Sequence, residues 1–105
     1  MAGTLRAALK AGERAWTEGS TKEHCVQKAG NIIEATKRKI QDQNLGVDLK
    51  LDYIDMNDSQ TFEVVDARSS RHTHPEPIIL SGALWVGKTR LIDNIILGKT
   101  DEILS

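Results

Sequence analysis

Gly82-Ala83-Leu84-Trp85-Val86-Gly87-Lys88-Thr89 fits the phosphate-loop pattern G-x-x-x-x-G-K-[ST] letter for letter. Such a loop works because small residues let successive backbone N–H groups curl around the phosphates. Here the intervening positions include Leu84, Trp85 and Val86, which suit an extended strand. The rest of the chain supplies no parallel α/β sheet and no acidic magnesium partner, so the run is read as a strand entering a glycine turn. His72-x-His74 is a loose pair without the Cys/His spacing of a zinc site, and is read as a solvated loop. Cys25 is the only cysteine. It can form no internal disulfide, and its helical position makes it core filler. No Ser-His-Asp grouping stands out. No catalytic residue, cofactor-binding residue or metal ligand is therefore assigned to this chain.

The elements that would carry these residues follow from periodicity. Leu5, Ala8, Leu9, Ala15 and Trp16 recur at helical spacing and predict a helix from about Thr4 to Thr17, weakened in the middle by Gly12. Ser20 stands three residues before Glu23, the spacing of a reciprocal capping box. Cys25, Val26, Ala29, Ile32, Ile33, Thr36 and Ile40 then form one stripe of a second helix. Its wet side holds Lys28, Glu34 and the basic run Lys37-Arg38-Lys39, and Asn44 and Gly46 offer its stop.

At Val47 the period changes to two. Val47, Leu49, Leu51 and Tyr53 alternate with Asp48, Lys50 and Asp52, which predicts a strand with one wet face, continued by Asp55 and Asp58. Asp58 is placed to cap a single turn, and Ala67 to Pro77 is a polar loop. Ile78 to Val86 reads as a strand apolar on both faces, with Trp85, like Trp16, expected in the core. Gly87-Lys88 makes a tight turn, and Leu91 to Leu97 is a third strand rich in isoleucine, with a frayed tail from Gly98 to Ser105. The expected architecture is α+β, a helical hairpin packed on a small, mainly antiparallel three-stranded sheet.

Length and charge bound the function. The chain has 105 residues, one domain's worth, with 14 basic and 15 acidic residues and a net charge of -1. Without a basic excess, neither nucleic acid nor an anionic membrane is an expected partner. No apolar run approaches the ~20 residues of a membrane span, and the N-terminus has no secretory h-region.

Three segments in register carry a family likeness. Leu51-Asp52-Tyr53-Ile54 with Asp58-Ser59-Gln60-Thr61-Phe62-Glu63-Val64-Val65-Asp66, and Gly87-Lys88-Thr89-Arg90-Leu91-Ile92-Asp93-Asn94 after Ala83-Leu84-Trp85-Val86, resemble the pantothenate synthetases (pantoate–beta-alanine ligases). The helical pair, with Ala7-Ala8-Leu9-Lys10-Ala11-Gly12-Glu13, stands in the matching order. The resemblance covers nearly the whole chain and implies a C-terminal lid domain over residues 1–105. The family's Rossmann-like nucleotide-binding half, with its His-x-Gly-His element, is absent from this sequence. Ser69-Ser70-Arg71 repeats letters of that half's Met-Ser-Ser-Arg segment, but Arg68 replaces the methionine and the position is late.

For the full-length enzyme, the resemblance implies ATP, magnesium, a pantoyl adenylate, a homodimer and a cytoplasmic location. For this chain it implies no activity alone and no cofactor of its own, with the N-terminal domain as partner. Arg90, Asp93 and Asn94, polar residues in an apolar strand, are expected to order the domain or face that partner. The Ala67 to Pro77 loop departs from the shorter family pattern and is taken as a fungal-type insertion. The alternatives are a stand-alone interaction module of the same fold and a small nucleotide-binding domain built on Gly82 to Thr89.

Overall fold

The computed structural model describes residues 2–43, 46–74 and 77–98. Two helices, α1 (Ala2–Thr17) and α2 (Lys22–Asp42), precede three strands, β1 (Leu49–Asp58), β2 (Ile78–Val86) and β3 (Thr89–Leu97). The sheet has the order β1-β2-β3 and both pairings are antiparallel. The helices lie on one face, α1 against β2 and β3 and α2 against β1. This is the expected α+β arrangement of a helical hairpin on a three-stranded antiparallel sheet. Asn44, Pro75 and the tail from Lys99 to Ser105 lie outside the described residues.

Amphipathic stripes create the core. Leu5, Leu9 and Ile33 from the helices meet Leu49, Met56, Ile78, Leu80 and Leu84 from the sheet, all essentially without solvent exposure. Each such side chain contributes about 1.5–3 kcal/mol by leaving water. Among the described residues no polar or charged residue is buried, so the core carries no desolvation penalty of that kind. Cys25 is part of this core, and burial pushes its thiol up to about 11, far from the thiolate that chemistry would need.

Gly12 does not interrupt α1. The helix runs through it, and glycine suits the position because a Cβ there would stand 3.0 Å from Leu80 Cδ2 and 3.3 Å from the Cys25 carbonyl oxygen. Gly82 faces it from β2, where a Cβ would meet Leu5 Cδ1 at 3.1 Å and Leu9 Cδ2 at 3.4 Å. The two glycines let α1 sink against α2 and the sheet together, which propensity alone does not reveal.

Two other expectations are corrected. The N-cap of α2 is Thr21, whose Oγ1 accepts from the His24 N–H at 3.3 Å, and no Ser20/Glu23 box forms. The Glu23 N–H is already taken by the Ala67 carbonyl at 3.0 Å, as the Lys22 N–H is by that of Ser69 at 2.7 Å. The polar loop thus satisfies amides that the helix itself leaves unpaired. In β1 the register shifts between Leu51 and Tyr53, leaving Asp52 as the extra residue of a bulge. The alternation reverses there, so Ile54 and Met56 turn inward and Tyr53 outward. Asp58, expected on the wet face, falls on the helix side opposite the buried Ile78. β3 also begins earlier than expected, at Thr89, because Val86 and Thr89 already pair across the Gly87-Lys88 turn.

The glycine contacts predict opposite signs for one substitution at two helical sites. Gly→Ala gains about 1 kcal/mol of helix propensity, whereas overpacking a tight core costs about 1–3 kcal/mol. Gly30→Ala, with nothing within 4 Å of the new Cβ, should raise the urea midpoint. Gly12→Ala should lower it, because the Cys25 backbone cannot give way as a side-chain tip can.

Candidate functional site

The face of the sheet opposite the helices is set by the strand register. Tyr53, Ala83 and Ile92 stand in one row across the three strands, and Lys50, Trp85 and Arg90 in the next. Asn57, Ile79 and Ile96 form another. Tyr53 is 37%, Trp85 36%, Ile92 59% and Ile96 49% exposed. Trp85 is therefore not core, contrary to its sequence reading: the two apolar faces of β2 are real, but the described residues cover only one of them. Ala83 is buried yet stands apart from the helix-facing core, between Tyr53 and Ile92.

Arg90, Asp93 and Asn94 do not converge. Arg90 lies on the open face and its Nε donates to Asp52 Oδ2 at 2.9 Å, from β3 to β1 across the intervening strand. The β1 bulge frees Asp52 for this. Asp93 lies on the other face, where Arg6 of α1 grips it with two contacts, Nε to Oδ2 at 3.0 Å and Nη2 to Oδ1 at 3.1 Å. That bidentate geometry ties α1 to the sheet edge, although its exposure limits its worth to about 1 kcal/mol. Asp93 Oδ1 also accepts the Asn94 N–H at 2.8 Å. Asn94 is exposed on the open face between Ile92 and Ile96, and no hydrogen bond of its side chain is seen among the described residues.

The remaining polar groups order the loop. Asp58 Oδ1 accepts from the N–H groups of Gln60 at 2.8 Å and Thr61 at 3.0 Å, the turn-capping role its position suggested. Its Oδ2 meets His74 Nε2 at 2.8 Å, which pins the end of the polar loop to the end of β1. The Thr61 and Gln60 amides, with His74 adding to them, hold the Asp58 carboxyl below its ordinary value of 3.8. Sequence spacing offered no sign of this pair. His72 has no part in it, and among the described residues no group of three or more His, Cys, Asp or Glu side chains could hold a metal ion. Ser69 and Ser70 lie within the same loop, Ser69 giving its carbonyl to the Lys22 N–H of α2.

The Gly82-to-Thr89 match is also settled by geometry. Gly82 to Val86 are extended residues of the central strand, Leu84 is buried under the helices, and Gly87 adopts φ +60° in the hairpin turn. Lys88 is an exposed residue of that turn. Phe62 is the one described non-glycine residue at positive φ (63°), and it is 69% exposed.

The sequence that folds into these two helices and this sheet matches the family model of Pantoate-beta-alanine ligase over residues 1–96. The chain belongs to that family. It is 36% identical over 78 residues to the pantothenate synthetase of Pseudothermotoga lettingae, covering 73% of this chain and 26% of the relative. The pantothenate synthetase of Moorella thermoacetica is 30% identical over 76 residues, 70% of this chain and 25% of its own length. That of Clostridium novyi is 35% identical over 71 residues, 68% of this chain and 22% of its own. The chain thus spans about a quarter of each of these curated relatives. These matches give the fungal-type assignment of the polar loop no support.

The Asp58 arrangement predicts an acid-sensitive contribution to stability. Because the folded carboxyl ionises below its ordinary value, it stabilises the fold above pH ~3.8 and loses that effect as pH falls through the folded value. Asp58→Asn should be less stable than the parent at pH 7. The difference should narrow between pH 5 and about 3 in a series of urea titrations. A gap that stays constant across this range would show that the carboxylate charge is not what matters.

Proposed function

We propose that this chain acts as the C-terminal lid domain of a pantoate–beta-alanine ligase. The observation that carries the proposal is the family match over residues 1–96, set against relatives of which the chain spans about a quarter. In the reaction so assigned, the carboxylate of pantoate attacks the α-phosphate of ATP, giving pantoyl adenylate and releasing pyrophosphate. The amine of beta-alanine then attacks the acyl carbon, forming the amide of pantothenate and expelling AMP. The partner is the N-terminal domain of the same enzyme, and the full-length enzyme is a cytoplasmic homodimer that uses ATP and magnesium.

The part played by this chain is physical. An acyl adenylate is lost to water unless it is shielded, and a closing domain expels water and holds the reactants together. A rigid sheet backed by two helices suits that role better than a loop would. Arg90 and Asp93 serve it by ordering the domain through Asp52 and Arg6, while Asn94 faces the partner. No step is assigned to a side chain of this domain. The family match favours this reading over a stand-alone interaction module of the same fold.

Mixing tests it. The pantothenate synthetase of Pseudothermotoga lettingae, truncated before the segment this chain matches, would be supplied with ATP, magnesium, pantoate and beta-alanine. AMP should form at a substantial rate only when this chain is added, and neither piece alone should produce it. AMP formation that is unchanged by the chain, with both pieces folded, would contradict the lid role.

A further inference from the structure

We infer that the open face of the sheet, centred on Tyr53, Trp85 and Ile92, is the surface by which this domain docks on the remaining portion of the ligase; the inference rests on the lid reading. The sequence of β2 is that of a strand covered on both sides. An antiparallel sheet with one wet face alternates apolar and polar residues cleanly. Yet the outward positions of β2 are Ile79, Ser81, Ala83 and Trp85, and those of β3 include Ile92 and Ile96. The helices cover only the other face. What is left is a patch with Tyr53, Trp85 and β-branched side chains half in water, the composition of an interface centre.

Among the described residues the other exposed large apolar side chains, Val47, Leu51, Phe62 and Val64, lie on β1, just before it or in the segment after it, outside β2 and β3. The outer sides of the helices carry Lys10 and Arg14 on α1 and Lys28, Glu34 and Arg38 on α2, which suit solvent. The open face carries Lys50, Asp55 and Arg90; Asp55 meets Lys22 of α2 at 3.1 Å, and Arg90 is already paired with Asp52 at 2.9 Å. An apolar partner could therefore cover this pair without supplying a counter-charge, and Asn94 would remain to fix orientation by a hydrogen bond. The occupant is the remaining portion of a pantothenate synthetase because the relatives carry about three quarters of their length outside the region this chain matches. Interfaces between domains of one chain bury roughly 600–1,500 Å², a scale that a three-stranded face can meet.

The test uses the same truncated Pseudothermotoga lettingae synthetase. A photo-crosslinking residue is placed at Ile92 on the open face or, in a separate variant, at Arg38 on the outer side of α2. Both are exposed, so the fold should tolerate either, and circular dichroism checks it. Crosslinks to the synthetase should form from position 92 and not from 38. The double variant Ile92→Glu/Ile96→Glu should weaken binding at least tenfold while leaving the urea midpoint of the isolated chain nearly unchanged. Crosslinks from 38 alone, or equally from both positions, would overturn the assignment of the face while the lid role stands. Crosslinks from 92 only to a second copy of this chain would overturn the choice of occupant. No crosslink from either position, together with no stimulation of AMP formation, would remove the lid reading and this inference with it.

Discussion

Everything in this domain depends on how closely α1 approaches both α2 and the central strand. Gly12 and Gly82 set that distance, since a Cβ at either would meet atoms at 3.0 or 3.1 Å. Because α1 lies so deep, Leu5 and Leu9 reach the sheet, Leu80 and Leu84 are shut from water, and the core closes with no polar residue buried among the described residues. The cost of placing glycine within a helix, about 1 kcal/mol, is small beside the burial of several large apolar side chains that the close approach permits.

The ties around this core work on its margins. Arg6 holds α1 to Asp93 of β3, and Lys22 holds the start of α2 to Asp55 of β1 at 3.1 Å. The polar loop supplies carbonyls to the first turn of α2 and is fastened in turn by the Asp58–His74 contact. Each is partly exposed and individually weak, so together they fix orientation more than they add stability. The Asp52 bulge has the larger consequence. By reversing the alternation of β1 it turns Tyr53 to the open face beside Ala83, and it sets Asp52 against Arg90. The side without helices consequently gathers Tyr53, Trp85, Ile92 and Ile96 around the Arg90–Asp52 pair.

Much of this was legible in the sequence where local pattern and tertiary contact agree. The stripe of α2, the two-residue hairpin at Gly87-Lys88 and the doubly apolar β2 were read from spacing alone. The failures share one cause, a partner distant in sequence. Gly12 looked like a weak point because Leu80, which needs its missing side chain, lies far along the chain. Thr21 displaced Ser20 as cap because Ala67 claims the Glu23 amide. A bulge leaves no mark in a strand that keeps alternating, so Tyr53 was placed on the wrong face. Arg90 and Asp93 stood out by polarity, but their partners lie 38 and 87 residues away and on opposite faces. The family resemblance supplied what no spacing could, because no reactive constellation in this chain points to acyl-adenylate chemistry.

The open face can be observed directly through its own tryptophan. Trp16 is 4% exposed and Trp85 36%, so a Trp16→Phe variant leaves Trp85 as the sole reporter. Acrylamide should quench Trp85 readily in the isolated chain, and much less once the truncated synthetase is bound. Quenching that is equally strong in the bound state would show that the partner sits elsewhere. It would leave the second apolar face of β2 without a purpose.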